Sequence, residues 1–175
     1  MLLFTDWTLL RLFPPLRSAW SRVGEQAVVP ITGANAKRVL FGAINVRTGH
    51  RVVLTRKQAG GADARAFFTE LRRRYRQAGR IWLLLDRAPA HTDAKTIALA
   101  AELKIELVWL PKQRPELNGM DQLWKELKRL MAANRQAPDI EALAEEAAAW
   151  VLSMSAREAL RKAGILAPTF WLQGV

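Results

Sequence analysis

Alternating and short continuous apolar runs dominate the first part of the chain, whereas apolar residues spaced three and four apart dominate the second. Leu2 to Phe13, rich in Leu, Phe, Thr and Trp and halted by Pro14-Pro15, predicts a first strand, because proline cannot continue a sheet ladder. Val28 to Thr32, Val39 to Val46 and Arg51 to Thr55 predict further strands, with Arg47-Thr48-Gly49-His50 as the turn between the last two. Together they predict an antiparallel meander. After Gly60-Gly61, the residues Phe67, Phe68, Leu71, Tyr75 and Ala78 fall at helical spacing, with Arg72, Arg73, Arg74 and Arg76 around them, which predicts an amphipathic helix with a basic outer face.

Ile81 to Leu85 is short and continuously apolar, as expected of a central strand buried on both faces. Thr92 predicts the cap of a helix running to about Leu103, and Ile105 to Leu110 predicts another apolar strand. A strand–helix–strand unit of this kind is parallel and right-handed. Beyond the loop Pro111 to Pro115, Leu117, Met120, Leu123, Trp124, Leu127 and Met131 mark one stripe of a helix from about Glu116 to Met131. Ile140 to Leu152 and Ser155 to Ala163 predict two more helices, and the tail from Pro168 looks irregular. The fold class is α/β: a mixed five-stranded sheet in which the meander is followed by the parallel unit and C-terminal helices. Residues 1–135 form the main body and residues 136–175 a helical extension of the same domain.

Composition narrows the function. The 175 residues suit one domain with a sizeable core, and the absence of cysteine excludes disulfides, thiolate zinc sites, cysteine nucleophiles and iron–sulfur clusters. Twenty-seven Lys and Arg against 16 Asp and Glu give a net charge of +11, which points to a polyanionic partner. No apolar run approaches the ~20 residues that span a bilayer, and Met1 to Asp6 carries no signal-peptide pattern. The expectation is therefore a cytoplasmic chain, nucleoid-associated, with DNA rather than a membrane surface as its partner.

Ligands in open α/β sheets gather outside the carboxyl ends of the parallel strands. Asp86 terminates one such strand, and the next delivers the chain into the helix that carries Asp121, with 34 residues between the two acids. Asp6 lies mid-strand on the side of the pleat shared by Leu2, Phe4, Leu10 and Leu12, where an unpaired carboxylate is costly. Three converging carboxylates repel one another unless a hard divalent cation lies between them. Each acid also has a structural reading: Asp86 as the cap of its turn, Asp121 as a partner of Lys125, Asp6 as the mark of a bend.

The blocks Phe4-Thr5-Asp6, Leu85-Asp86-Arg87-Ala88-Pro89-Ala90-His91-Thr92 and Leu110-Pro111-Lys112-Gln113-Arg114-Pro115-Glu116-Leu117-Asn118-Gly119-Met120-Asp121-Gln122-Leu123-Trp124 resemble the catalytic domain of mariner-like bacterial insertion-sequence transposases, of the DDE superfamily. Arg11-Leu12-Phe13-Pro14-Pro15, Trp20 before Gly24, and Phe41-Gly42-Ala43 add to the resemblance, which runs from Phe4 to about Lys128. It implies an RNase H-like fold over residues 1–135 in which Asp6, Asp86 and Asp121 are catalytic and hold two Mg²⁺ or Mn²⁺ ions for DNA cleavage and strand transfer. It also implies double-stranded DNA partners, namely transposon ends and target, and a homodimer in the active complex. A helix-turn-helix DNA-binding region, separate from or missing from this chain, completes the set. Accordingly, the chain is expected to be a split-frame product, a truncated copy or a fragment, and to bind duplex DNA with little sequence preference.

The sequence departs from that family in carrying Trp7 where Glu is usual, Arg87 where Asn is usual, Asp121 where Glu is frequent and Gly119 where Pro is common. These departures leave open an alternative reading, a catalytically decayed remnant acting only as a non-specific DNA-binding module. A third reading is an RNase H-like nuclease on RNA–DNA hybrids or branched DNA, which shares fold and metals but not the residue blocks. His91, Arg87, Asn118, Lys125 and Lys128 are the candidates for contacts behind the acids or with DNA, each with a plain structural alternative such as capping or ion pairing. The Arg72 to Arg76 run reads either as a DNA track or as a solvated helix face. Trp82, Trp109 and Trp124 are expected in the core, and Trp7 and Trp20 nearest DNA.

Overall fold

The computed structural model of the chain describes residues 1–13, 20–25, 28, 35–131 and 137–172. A single mixed sheet has the order β3-β2-β1-β4-β5. β1 (Leu2–Arg11), β2 (Lys37–Asn45) and β3 (Arg51–Arg56) form the antiparallel meander, while β4 (Ile81–Leu85) and β5 (Ile105–Trp109) run parallel to β1 on its other side. This is the RNase H-like arrangement. Of the expected strand Val28 to Thr32, only Val28 lies within the described residues, and it belongs to no element.

Strand periodicity explains why β1 sits at the centre. Its odd residues Leu3, Trp7 and Leu9 face one apolar cluster and its even residues Phe4 and Leu10 face the other, so both sides of the strand are covered. Helix α1 (Gly61–Arg74), the single turn α2 (Pro89–Thr92) and α3 (Ala94–Glu102) cover the odd face through Phe67, Phe68, Leu71, Ala90 and Ala100. Helices α4 (Gly119–Met131), α5 (Ile140–Ser153) and α6 (Ala156–Lys162) cover the even face through Trp124, Leu127, Ala147, Val151 and Ala159. Among the described residues, no helix is long and apolar enough to cross a membrane.

Local chemistry sets the turns and ends. Asn45 Oδ1 accepts from the backbone N–H groups of Arg47 and Thr48, both at 2.9 Å, and Gly49 takes a φ of +67°, which only glycine adopts without strain. Arg51, buried at the start of β3, donates to the carbonyls of Gly49 at 2.7 Å, Leu152 at 3.0 Å, Val151 at 3.1 Å, and also Met154. Its guanidinium thereby satisfies the carbonyls that the C-terminus of α5 leaves without helical partners.

Several expectations are corrected. Asp93, not Thr92, caps the long helix of the crossover, its Oδ2 accepting from Thr96 N at 3.1 Å, because Pro89 to Thr92 already form a separate turn. Pro115–Leu117 is a 3₁₀ turn, so α4 begins at Gly119 rather than Glu116. Trp82 is 41% exposed, since α4 and α5 pack over β1, β2 and β3 and leave the β4–β5 part of that face open. Trp109 is only partly buried, and Arg87 stacks on it. Trp124 is core as expected, and Trp20 is fully exposed. The arginine run has mixed uses: Arg72 donates to the carbonyls of Tyr75, Ala78 and Leu103, and Arg73 and Arg74 both pair with Glu70. That removes three of its four cations from an open DNA track.

Gly42 pairs with Asp6 across β1 and β2. A β-carbon at Gly42 would lie 2.5 Å from the side chains of both Met120 and Trp124, so the missing side chain is what lets α4 approach the sheet. Gly42→Ala is expected to destabilise the fold by about 1–3 kcal/mol through overpacking, read as a lower urea midpoint at unchanged slope. An unshifted midpoint would mean that α4 does not depend on this contact.

Candidate active site

Register brings the acids to one place. Phe4 is paired with Leu84, so Asp86, two residues further on, emerges beside Asp6 where β4 ends and β1 continues. From the other side, Asn118 ties the start of α4 to the same strand. Its Nδ2 donates to Thr5 O at 2.9 Å while its Oδ1 accepts from Met120 N at 3.0 Å, capping the helix. Asn118 is 4% exposed, so both bonds form away from water. Asp121 follows within the first turn. The result is a cavity of about 230 Å³ lined by Asp6, Asp86, Asp121, Arg87, Asn118 and the loop from Leu110 to Pro115.

The three carboxylates sit in unlike conditions. Burial pushes the Asp6 carboxyl up to about 7; the charges of Asp121 and Asp86 push the same way, against the backbone hydrogen bond at Trp7 and the charge of Lys128. Asp86 is held below the usual carboxylate range, first by the hydrogen bond from His91. Because an ionised carboxylate only accepts, His91 Nδ1 is the donor, at 2.9 Å from Asp86 Oδ1. His91 itself is 2% exposed and stacks on Phe68 with ring centroids 6.4 Å apart, which fixes the imidazole against α1. Ala88 N also donates to Asp86 Oδ1 at 3.2 Å, so Asp86 caps its turn.

Asp121 is the acid with an unmet need. Lys125 Nζ lies 2.8 Å from Asp121 Oδ2, one turn along α4, yet this buried oxygen receives no hydrogen bond. The ammonium therefore stands where a cation is wanted beside this carboxylate. An oxygen-only set of three carboxylates lining one cavity has the donor chemistry of a hard divalent ion such as Mg²⁺ or Mn²⁺. Among the described residues, however, no three His, Cys, Asp or Glu side chains are grouped closely enough to hold one ion together.

Known proteins share this fold. The family described as DDE superfamily endonuclease matches residues 1–144. The chain belongs to that family. The insertion element IS630 uncharacterized 39 kDa protein of Shigella sonnei is 28% identical over 138 residues, covering 76% of this DDE chain and 39% of its own length. Among solved structures, the Mos1 transposase paired-end complex with left transposon end superposes with a TM-score of 0.72 at 17% identity, covering 93% of this chain and 51% of that one. The mariner Mos1 paired end complex with Mg gives 0.72 at 16% identity over the same shares. At such identities the likeness is one of fold, and this chain spans about half or less of each relative.

Within the DDE chain, sequence reasoning named the acids and Asn118 but gave no hint that Asn118 reaches back to Thr5. It passed over Lys112 and Arg114, which line the cavity from the β5–α4 loop. Two cations between two prolines, just before the helix bearing Asp121, were the available signal.

The raised Asp6 value has a consequence for stability. A folded-state value above the unfolded one of 3.8 means that the folded chain binds more protons between these limits. Stability of the metal-free protein should therefore fall as pH rises from about 4 to about 7 and level off above. Asp6→Asn should remove that fall, leaving the variant more stable than the parent at pH 8 and similar at pH 4. Urea titrations in EDTA at the two pH values measure this, and parallel pH profiles for both proteins would refute it.

Proposed function

We propose that this chain is the catalytic part of a transposase that cuts and joins DNA phosphodiester bonds at the Asp6, Asp86 and Asp121 cavity, using two divalent ions. The observation that carries the reading is that three acids, from mid-strand β1, the end of β4 and the first turn of α4, line one cavity. When bound, Mg²⁺ or Mn²⁺ supplies activation of a water or a DNA 3′-hydroxyl for in-line attack and stabilises the leaving oxygen.

The chain's own residues prepare that chemistry. Asp6 and Asp121 supply carboxylates from opposite walls, and Asn118 sets their separation through its bond to β1. His91 keeps Asp86 ionised and oriented. Lys125 and Lys128, on the same helix as Asp121, offer ammonium groups to DNA phosphates near the acids. The Mos1 structure named as a complex with a left transposon end supports transposon ends as substrate; a second copy of the chain and a helix-turn-helix region acting alongside it belong to the same proposal.

Two observations favour a second reading. No three metal-ligating side chains among the described residues share one ion, and the net charge of +11 is enough for DNA affinity by itself. On that reading the chain is a decayed remnant that binds DNA without cutting it.

Nicking of supercoiled plasmid in Mn²⁺ separates the two. Asp6→Asn, Asp86→Asn and Asp121→Asn should each lower the rate by roughly a hundredfold or more, since even partners behind a metal ligand are worth about 10–100-fold. DNA affinity measured in EDTA should persist in all three. Millimolar Mn²⁺ should also raise the calorimetric Tm of the parent and not of a double Asp variant. No nicking by the parent, with Tm unmoved by Mn²⁺, would select the remnant.

A further inference from the structure

Arg87 directly follows Asp86 and lines the same cavity. Its guanidinium carbon lies 5.4 Å from the centre of the Trp109 ring, a cation–π distance. The stack spans the ends of two strands, because Trp109 is the registered partner of Leu85 and Arg87 stands two residues beyond Leu85. Arg114, in the loop opposite, is paired with Glu116. Arg87 is exposed and makes no ion pair with a described residue, although three carboxylates line its cavity.

An arginine with such neighbours would ordinarily fork onto a carboxylate, the geometry its guanidinium matches best, and would then occupy the place of a cation. Stacking on Trp109 engages the face of the guanidinium and leaves the N–H donors at its edge uncommitted. A cavity of three carboxylates also repels the phosphates it must receive, and a fixed cation at its rim offsets this. We propose that Arg87, held aside by Trp109, is a phosphate-positioning residue that grips the non-bridging oxygens of a DNA phosphate next to the one being cut. This assignment rests on the phosphodiester reading of the cavity, but its test does not require cleavage.

Binding of a duplex oligonucleotide in EDTA is titrated against salt for the whole chain and its variants, each checked for a cooperative melt. Arg87→Ala should weaken binding by about tenfold at low salt and reduce the log–log slope by about 0.9, the value of one lost phosphate contact. Arg87→Lys should keep the slope. Trp109→Leu, which removes no charge, should weaken binding in the parent and add nothing in the Arg87→Ala background, the coupling expected if Trp109 acts through Arg87. Arg76→Ala, beyond the C-terminus of α1, serves as a charge-matched control. In nicking kinetics, Arg87→Ala should raise KM with little change in kcat.

An unchanged slope for Arg87→Ala, an equal fall for Arg76→Ala, or additive effects of Trp109→Leu and Arg87→Ala would each overturn the proposal. If the parent does not nick DNA while the Arg87 slope falls as stated, the catalytic reading fails and Arg87 still stands as a phosphate contact.

Discussion

Two carboxylates forced together in a partly dry cavity are the constraint on which the rest of this structure turns. Asp6 sits on a strand covered from both sides, and Asp121 sits on the helix that does part of the covering, so both are partly buried. Moving either acid out would relieve the repulsion and would also open the even face of the sheet. The fold keeps them close instead, with Gly42 removing the side chain that would hold α4 away and Asn118 bolting the helix start to β1. Local stability is given up where the two acids meet.

The third acid obeys a different logic. Asp86 is at the sheet edge, more than half exposed, and keeps its charge through a buried imidazole that is braced by Phe68. The cavity thus pairs one carboxyl that resists ionisation with one that is held ionised. His91 does for Asp86 what water cannot do for Asp6.

The sheet was largely legible from the chain. Ile81 to Leu85 is a strand to the residue, because five apolar residues between a loop and an acid leave little choice of length or type. The meander and the parallel unit followed from turn chemistry and handedness, and with them the convergence of the acids. What escaped was decided by neighbours distant in sequence. Leu117 fits the helical stripe, but Pro115 starts a 3₁₀ turn and Asn118 takes the cap, so the helix begins two residues past Leu117. Trp82 has the profile of a core residue and is exposed because the helices that would cover it are committed to β1, β2 and β3. Arg72 looked like a surface cation and instead collects carbonyls at the end of α1. An apolar pattern records that a residue can be buried, not whether anything arrives to bury it.

The bonds from Arg51 to the end of α5 have a temporal side. The donor and its acceptor at Val151 are 100 residues apart, and every helix on the even face comes from the last third of the chain. As the polypeptide leaves the ribosome at roughly 5–20 residues per second, the meander can form while Phe4, Leu40 and Ile44 still face solvent for several seconds. A half-made sheet with one bare apolar side is the species most exposed to sticking to its own kind or to chaperones. Contacts this remote in sequence also slow the final closure. For this chain, the last helices synthesised are the lid on its own nascent surface, and a copy cut short before α5 would keep α4 over β1 but leave the part of that surface over β3 bare for good.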